Sequence, residues 1–569
     1  MNKPCTGIPA SLSKTERIIL FTLLSLFIVL RVIYAFHLRV DSDEPQHLHV
    51  VWAWANGQLQ YRDVFDNHSP LFQMLCAPLF KVLGVRGDIL LFMRLAMLPL
   101  FLWCLWIVYR AGCKLYDQRT AAWAALIGGA WPVFFFTSTE FRTDDLWAPL
   151  CLASLAFVLT RTPSWKTASG FGVIVGAAFA TSMKTSLFIA SLAVAALIVL
   201  SFVWWKQRSV PWRQVLQFIA FAFLCALVVP GIFVVYFWAK GALPDLYYCV
   251  IEHNVAGGRL HQHLLTRQNH IVAIMLPVLA WGSWQCSKFA ASGQRMRVAV
   301  AAMTGGCFLL FLEEYWPMIT AEDYLPGVPV VALALAPAIL RMLDKFSFIA
   351  CKSWIRIGLP FLFVTVQIVW LLKTEPLLED RTTLRVGIVK NILKLTNPDD
   401  FVMDGKGETI YRRRADPHHV FEGVTFQLVR AGIISTNIPA ELIAKRAPVV
   451  SKQRLPRDAK DFIAQNYLPI SWRLLTLGKI IALHSPAKGE SIEFDLVIPE
   501  RYTLVTDAGR VEGILDGEPF TGARMLAAGH HTYTPSARHG RLELIWAQAI
   551  ERGFSPYTPL PPDITTQQD

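Results

Sequence analysis

Several ionisable side chains occur in short clusters between long apolar stretches of this sequence, and their types suit proton transfer and anion binding. The acidic pair Asp43 and Glu44 offers carboxylates that can take a proton from a hydroxyl group, which is otherwise a poor nucleophile at neutral pH. Arg142 and Lys184 offer fixed positive charge, which stabilises negative charge that accumulates on a leaving group. The imidazole of His68 can serve in either role. These residues predict a site that activates a hydroxyl group while an anion departs.

The elements that must position these residues are membrane-spanning helices. The chain has 569 residues, of which 54% are hydrophobic and 17% charged, and its mean hydropathy is +0.40. Apolar runs of about 18–25 residues match a bilayer core about 30 Å thick, and the first two thirds of the sequence contain about eleven such runs. The predicted spans cover residues 18–38, 88–109, 120–137, 144–160, 169–184, 186–205, 214–238, 271–286, 298–312, 324–340 and 356–372.

Charge alternates between successive connections, and this predicts the orientation of the helices. Lys and Arg collect in every second connection, for example at Lys206, Arg208 and Arg213, and the positive-inside rule places these connections in the cytoplasm. The intervening connections are acidic. We therefore expect a multi-pass membrane protein, with its N-terminus in the cytoplasm and both its C-terminal domain and the candidate residues on the outer side, in the periplasm or lumen.

The composition changes after Lys373, where Cys disappears and no segment is long enough to span a membrane. We predict a transmembrane domain over residues 1–372, a mixed α/β extracytoplasmic domain over 373–555 and a disordered tail over 556–569. Helical spacing of apolar residues and alternation of apolar and polar residues predict the local elements of the second domain. These are a helix at 381–395, strands at 492–498, 502–506 and 542–546, and a hairpin turn at Asp516 and Gly517.

Two features of the composition exclude other classes of protein. The ten cysteines include no CxxC pair and mostly fall in or beside predicted spans, so they indicate neither a zinc site nor a disulfide framework. The net charge of +12 is explained by basic residues that face anionic lipid headgroups, so we expect no nucleic-acid partner.

Short motifs on the predicted outer side resemble those of the GT-C membrane glycosyltransferases of the protein O-mannosyltransferase and lipid A aminoarabinose transferase type. The family has an acidic pair after the first helix, matched by Asp43 and Glu44. Some twenty residues later it has a Phe-Asp-x-His-x-Pro-Leu segment, matched by residues 65–71, although Ser69 stands where the mannosyltransferases have a second proline. An Arg-x-Asp motif at a helix start, a lysine after a Gly/Ala-rich span and a Tyr-Leu-Pro entry to a late span are matched by Arg142 to Asp144, Lys184 and Tyr324 to Pro326.

The resemblance implies a GT-C fold and an enzyme that moves a sugar from a polyprenyl-phosphate-linked donor to an acceptor hydroxyl, with inversion, in a single displacement. The acceptor would be a lipid, a glycan or a protein of the cell envelope. No cofactor is expected, and a divalent metal is not favoured because basic side chains can neutralise one monophosphate. The implied roles are Asp43 and Glu44 in catalysis, Arg142, His68 and Lys184 at the donor phosphate, and Asp66, Asp144 and Tyr324 in substrate binding.

Alternatives remain open at this stage. A transporter or flippase of lipid-linked sugars is a second candidate class, although such proteins tend to bury ionisable residues in broken helices and to contain repeats, whereas the predicted spans are nearly free of acids and the sequence shows no repeat. Each candidate residue also has a structural explanation. These are a loop or helix-capping role for Asp43 and Glu44, a hydrogen-bonding pair for Asp66 and His68, an ion pair for Arg142 and Asp144, snorkelling for Lys184 and an aromatic anchor for Tyr324.

Overall fold

The computed structural model describes residues 12–208, 210–257, 277–281, 284, 293–316, 319–345, 353–377, 379–483, 490–507, 509–537 and 540–560. The chain forms two compact units. The first comprises Met1–Arg39, Asn67–Cys76 and Leu91–Asp380, and the second comprises Val40–Asp66, Ala77–Leu90 and Arg381–Asp569. The domain boundaries derived from composition stay predictions.

The structure contains both long apolar helices and short helical segments. Up to residue 257 they are α1 (Lys14–His37), α2 (Asp43–Ala55), α3 (Leu71–Leu83), α4 (Ile89–Leu95), α5 (Leu98–Leu115), α6 (Gln118–Ala130), α7 (Pro132–Thr137), α8 (Asp144–Thr160), α9 (Trp165–Phe179), α10 (Thr185–Gln207), α11 (Trp212–Ala226), α12 (Val228–Ala239), α13 (Leu243–Tyr247) and α14 (His253–Gly257), with a π-helical turn at Tyr248–Glu252. In the described part of the chain from residue 293 onward, three long helices are α15 (Gly293–Tyr315), α16 (Gly327–Lys345) and α17 (Ser353–Thr374), with a 3₁₀ turn at Ala321–Tyr324 between the first two.

Within the described residues, six helical segments are long and apolar enough to cross a membrane: Lys14–His37, Ile89–Leu115, Thr185–Lys206, Trp212–Ala239, Gly293–Tyr315 and Ile357–Thr374. The prediction of about eleven spans stays a prediction. One of the spans, 271–286, lies mostly outside the described residues.

The predicted span 120–137 is two helices rather than one. Trp131 lies between α6 and α7 with an extended backbone (φ −62°, ψ 120°), and Pro132 begins α7. The proline ring disfavours helical geometry in the residue before it and removes a backbone donor, so the helix is interrupted at this point.

The turn before α10 is positioned by close packing of α9 on α11. A Cβ atom at Gly172 would lie 2.2 Å from the Ala222 carbonyl oxygen, and one at Gly176 would lie 2.4 Å from that of Ala226. Only glycine allows the two backbones to approach so closely. This contact fixes the end of α9, five residues before Lys184 at the start of α10.

The segment between the first two predicted spans contains an unpredicted helix, α2. It begins at Asp43, and its first turn contains both carboxylates of the acidic pair, where the helix dipole favours negative charge. The sequence prediction treated Asp43 and Glu44 as part of an outer loop. Their position on a helix fixes both side chains more firmly than a loop would.

The C-terminal part of the second unit is mixed α and β. Its helices are α18 (Thr383–Leu395), α19 (Gly423–Arg430), α20 (Ile438–Ala444), α21 (Arg457–Asn466) and α22 (Ala547–Glu551). Its strands are β1 (Val402–Met403), β2 (Val449–Ser451), β3 (Tyr467–Ser471), β4 (Leu474–Ala482), β5 (Ile492–Leu496), β6 (Glu500–Thr506), β7 (Gly509–Arg510), β8 (Gly513–Leu515), β9 (Glu518–Phe520), β10 (Arg524–Leu526), β11 (Gly529–Pro535) and β12 (Leu542–Trp546).

The described strands form two sheets. An eight-stranded sheet has the order β1-β2-β4-β12-β6-β10, with β3 paired to β4 and β7 to β6, and a four-stranded sheet has the order β5-β11-β8-β9. Only the β1–β2 pair among them is parallel. The predicted helix and the three predicted strands are confirmed, as is the hairpin turn, where Asp516 (φ 56°) and Gly517 (φ 82°) join β8 to β9.

Candidate active site

Arg142 is the centre of a buried group of charges in the first unit. Its guanidinium contacts the carboxylate of Glu322, and its Nη1 lies 3.7 Å from a carboxylate oxygen of Glu140. Its Nε lies 3.9 Å from Asp144 in the first turn of α8, and its backbone N–H donates to the Asp145 carboxylate. The side chain is only 2% exposed. Arg142 is therefore held by carboxylates on several sides.

Lys184 extends the same group of charges from the start of α10. Its Nζ lies 2.8 Å from Asp144 Oδ1 and 2.5 Å from Asp323 Oδ1, and it also lies 5.4 Å from the centre of the Trp147 ring. The side chain is 11% exposed. The structure therefore does not support snorkelling as the role of Lys184, because this lysine ends in a buried ion-pair network.

Glu322 and Asp323, two of the carboxylates that contact Arg142 and Lys184, lie in a 3₁₀ turn that is capped by Thr320. Thr320 precedes the 3₁₀ turn, its backbone N–H donates to Asp323 at 2.8 Å, and its hydroxyl contacts both Asp323 and Glu322. Burial raises the pKa of Glu322 from its ordinary 4.5 to about 7, with Arg142 acting in the opposite direction. Near neutral pH this carboxyl group is therefore divided between its protonated and ionised forms.

We call these residues the Arg142–Lys184 cluster. It contains two cations and four carboxyl groups, contributed by Arg142 and Lys184 and by Glu140, Asp144, Glu322 and Asp323. Cations in such a cluster are fixed in position, which suits stabilisation of a developing negative charge. An incoming anion would exchange places with carboxylates that already contact the two cations.

Tyr324 and His68 are the other two predicted site residues of the first unit. The hydroxyl of Tyr324, a partly buried residue, contacts the carboxylate of Glu313 on α15, and the residue directly follows Asp323. His68 is partly buried and lies three residues before α3 begins at Leu71.

In the second unit, the acidic pair of α2 divides into two environments. Glu44 is fully buried, and its Oε2 accepts a hydrogen bond from the backbone N–H of Asp41 at 3.0 Å. Asp43 is 20% exposed at its side chain, and its carboxylate contacts Nζ of Lys406. The backbone N–H of Asp43 donates to Asp41 Oδ1 at 2.9 Å. The Glu44 side chain therefore forms a hydrogen bond at the start of α2, whereas the Asp43 side chain remains accessible to solvent.

Asp66 is buried and accepts hydrogen bonds from two glutamines of its own unit. Gln60 Nε2 lies 2.7 Å from Oδ2, and Gln46 Nε2, one turn along α2 from Asp43, lies 3.4 Å from Oδ1. The boundary between the two compact units falls directly after Asp66.

Sequence reasoning missed Lys406 and the contact between Arg142 and Glu322. Lys406 lies 363 residues from Asp43, and no pattern in the sequence connects the two. Glu322 was visible only as one acid in an acidic connection.

Comparison with solved structures shows that this chain has the GT-C fold that the motifs imply. The chain is similar to ArnT of Cupriavidus metallidurans. Against the crystal structure bound to undecaprenyl phosphate the TM-score is 0.58 at 14% identity, covering 82% of this chain and 98% of the ArnT chain. Against the apo structure the TM-score is 0.55 at 14% identity, covering 81% and 98%.

Other comparisons gave a weaker structural likeness or no match. The apo oligosaccharyltransferase of Archaeoglobus fulgidus gives a TM-score of 0.46 at 11% identity, covering 77% of this chain and 70% of that chain. No protein-family model matches the sequence, and no curated protein matches it. At 14% identity the likeness to ArnT shows the fold, which confirms the predicted fold class, a polytopic helical protein with a mixed α/β C-terminal region.

Proposed function

We propose that this chain is a membrane glycosyltransferase that moves a sugar from a polyprenyl-phosphate-linked donor to an acceptor hydroxyl at the outer face of the inner membrane. The observation that carries the proposal is the likeness to ArnT over 98% of the ArnT chain, in a structure that contains undecaprenyl phosphate. The same likeness favours a transferase over the alternative of a transporter or flippase of lipid-linked sugars. In this proposal the C-terminal region lies in the periplasm and the N-terminus in the cytoplasm.

Asp43 is the proposed general base. Of the acidic pair it is the member with solvent access, whereas Glu44 is fully buried and accepts a hydrogen bond from the backbone of Asp41. In the proposed step the acceptor hydroxyl gives its proton to the Asp43 carboxylate as its oxygen bonds to the anomeric carbon. The bond from that carbon to the phosphate oxygen breaks with its electron pair, and polyprenyl phosphate leaves. A single displacement of this kind inverts the anomeric configuration.

Arg142 and Lys184 are the proposed partners of the departing phosphate, with His68 as a third. Both cations are held in buried positions by carboxylates, and in this proposal the phosphate takes the place of a carboxylate beside them. Glu322 supports this role for Arg142, because a carboxyl group with a pKa raised by burial to about 7 is readily neutralised, which leaves Arg142 available to another anion. Asp66, Asp144 and Tyr324 are proposed to contact the substrates. We expect no cofactor, and a divalent metal is not favoured.

Reconstitution tests the proposal. The purified full-length chain is placed in liposomes with undecaprenyl-phosphate-linked sugars of several types, and lipids and glycans extracted from cells with and without the protein provide the acceptors. We expect mass spectrometry to detect loss of sugar from the lipid and its appearance on an acceptor. Movement of intact lipid-linked sugar between leaflets without any transfer would contradict the proposal and support the flippase.

A further inference from the structure

We propose that Lys406 is a positioning residue for the Asp43 carboxylate, so that a loop of the C-terminal region takes part in the transfer reaction. This inference rests on the proposed function. It begins from an ion pair within the second compact unit: Nζ of Lys406 contacts the Asp43 carboxylate and lies 3.1 Å from Glu422 Oε2. The Lys406 side chain is 4% exposed.

The charge on Lys406 is maintained by its two partners. Burial acts to lower the pKa of Lys406, but the carboxylates of Asp43 and Glu422 act more strongly together and hold it above its ordinary value. A buried ammonium between two carboxylates restricts where each can lie. The Asp43 side chain is 20% exposed and that of Glu422 is 14% exposed. Asp43 is therefore the more accessible of the two carboxylates to a substrate, and the ion pair with Lys406 limits the positions that this carboxylate can take.

Lys406 lies on a rigid loop, residues 404–411, which we call the Lys406 loop. All residues of the loop are buried. Asp404 anchors it by accepting hydrogen bonds from the backbone of Gly407 at 2.6 Å and of Thr409 at 2.9 Å, and Arg414 Nε lies 3.1 Å from Asp404 Oδ1. Burial acts to raise the pKa of Asp404, but Arg414 and Thr409 outweigh burial and hold it below its ordinary value. The anchor of the loop therefore stays ionised.

The Lys406 loop is attached to the helix that contains Asp43. His49 Nδ1 lies 2.7 Å from the Ile410 carbonyl, which can only accept, so His49 donates from the second turn of α2. At Gly407 (φ 80°) the backbone is so close to His49 that an added Cβ would lie 2.9 Å from the His49 Cβ. The loop and α2 therefore hold Lys406 and Asp43 in one fixed geometry, which favours a constant direction of attack on the donor.

The test measures kcat and KM for transfer by the full-length chain carrying Lys406→Met or Lys406→Arg. Removal of the ammonium frees the Asp43 carboxylate, so we expect Lys406→Met to lower kcat by about tenfold or more with little change in KM for the donor. Lys406→Arg keeps the positive charge and should recover part of the rate. Lys479→Met is the matched control, because the ammonium of this lysine donates to the Asp495 carbonyl in an exposed hydrogen bond and its loss should leave transfer unchanged.

A second measurement remains informative if Lys406→Met fails to fold. Acetic anhydride labelling followed by mass spectrometry reports the accessibility of Lys406, which we expect to be protected in the natural chain and several-fold more reactive after Asp43→Asn. Full transfer by Lys406→Met, or labelling of Lys406 that is the same in the natural chain and in the Asp43→Asn variant, would overturn the inference while leaving the proposed function intact. Absence of transfer by the unsubstituted chain with every donor would contradict the proposed function itself.

Discussion

Lys184 Nζ lies 2.8 Å from Asp144 Oδ1, so two residues that are 40 positions apart join the start of α10 to the start of α8. Sequence reasoning assigned Lys184 to the donor phosphate and Asp144 to the substrate, as separate contacts. Their direct pairing makes each a partner of the other, so substitution of one affects the position and charge balance of both.

We first predict that Lys184→Met destabilises the chain strongly, because it leaves Asp144 and Asp323 buried beside each other without their shared cation. Removal of one partner from a buried ion pair costs about 3–5 kcal/mol. The free energy of unfolding in detergent measures the effect, with Lys166→Met at an exposed lysine of α9 as the control. Addition of Asp144→Asn should recover part of the loss, and strictly additive losses would contradict direct coupling.

For Arg142 we predict that the guanidinium geometry matters as well as its charge. Arg142→Lys keeps the charge but loses the planar set of donors, so binding of polyprenyl phosphate and the transfer rate should fall about tenfold or more. Arg142→Ala should lower both the binding of polyprenyl phosphate and the transfer rate further. Lipid binding by the purified chain and turnover are measured together, with Arg110→Lys at an exposed position as the control. Unchanged binding and turnover in Arg142→Ala would assign this residue a structural role only.

The raised pKa of Glu322 predicts a pH dependence of stability. In the folded chain Glu322 holds its proton up to about pH 7, whereas in the unfolded chain it releases the proton near 4.5. Folding therefore binds a proton at Glu322 in this interval, and the contribution of Glu322 to the free energy of unfolding should fall as pH rises from about 4.5 to 7. Glu322→Gln removes this contribution, so the natural chain should lose stability relative to the variant over that range. The assignment would be refuted if the free energy of unfolding of the natural chain minus that of the variant stayed constant or increased as pH rises. The ionisable groups that act on Glu322 are Arg142, Asp144, Lys184 and Asp323.

Gly407 allows a specific test of how the Lys406 loop is attached to α2. Gly407→Ala introduces a side chain against His49 at a positive φ, whereas Gly517→Ala introduces one at nearly the same φ (82°) with no atom within 4 Å. Both variants should lose about 1–2 kcal/mol of stability, because alanine is strained at a positive φ. Gly407→Ala should lose more stability and also lower transfer. Equal losses of stability and normal transfer in both variants would show that the contact with His49 does not position Lys406.

Local patterns predicted those parts of the structure that depend on nearby residues. The alternation at 492–498, 502–506 and 542–546 and the turn at Asp516 and Gly517 depend on neighbours in the sequence, and the structure contains them. The first turn of α2 has the same kind of local signal, since Ser42, two acids and Pro45 are typical of a helix start. The sequence analysis nevertheless places the segment in an outer connection, because it lies between two predicted spans.

Contacts between residues that are far apart in the sequence cannot be predicted from such local patterns. Arg142 and Glu322 are 180 residues apart, and Asp43 and Lys406 are 363 apart. In both pairs the partners are brought together by packing of helices and loops that no local periodicity describes. The residue types at the site could therefore be predicted, whereas the partner of each residue could not.

The measurement that tests the central claim most directly is sugar transfer by Asp43→Asn, with donor binding measured on the same purified variant. Asparagine keeps the size and hydrogen-bonding capacity of Asp43 but cannot take the acceptor's proton, so turnover should fall by about 10²-fold or more while lipid donor still binds. Asp41→Asn, which keeps an oxygen acceptor for the Asp43 N–H, should retain most of the activity. Near-normal transfer by Asp43→Asn would contradict the account and move the base to Glu44, Asp66 or Asp144.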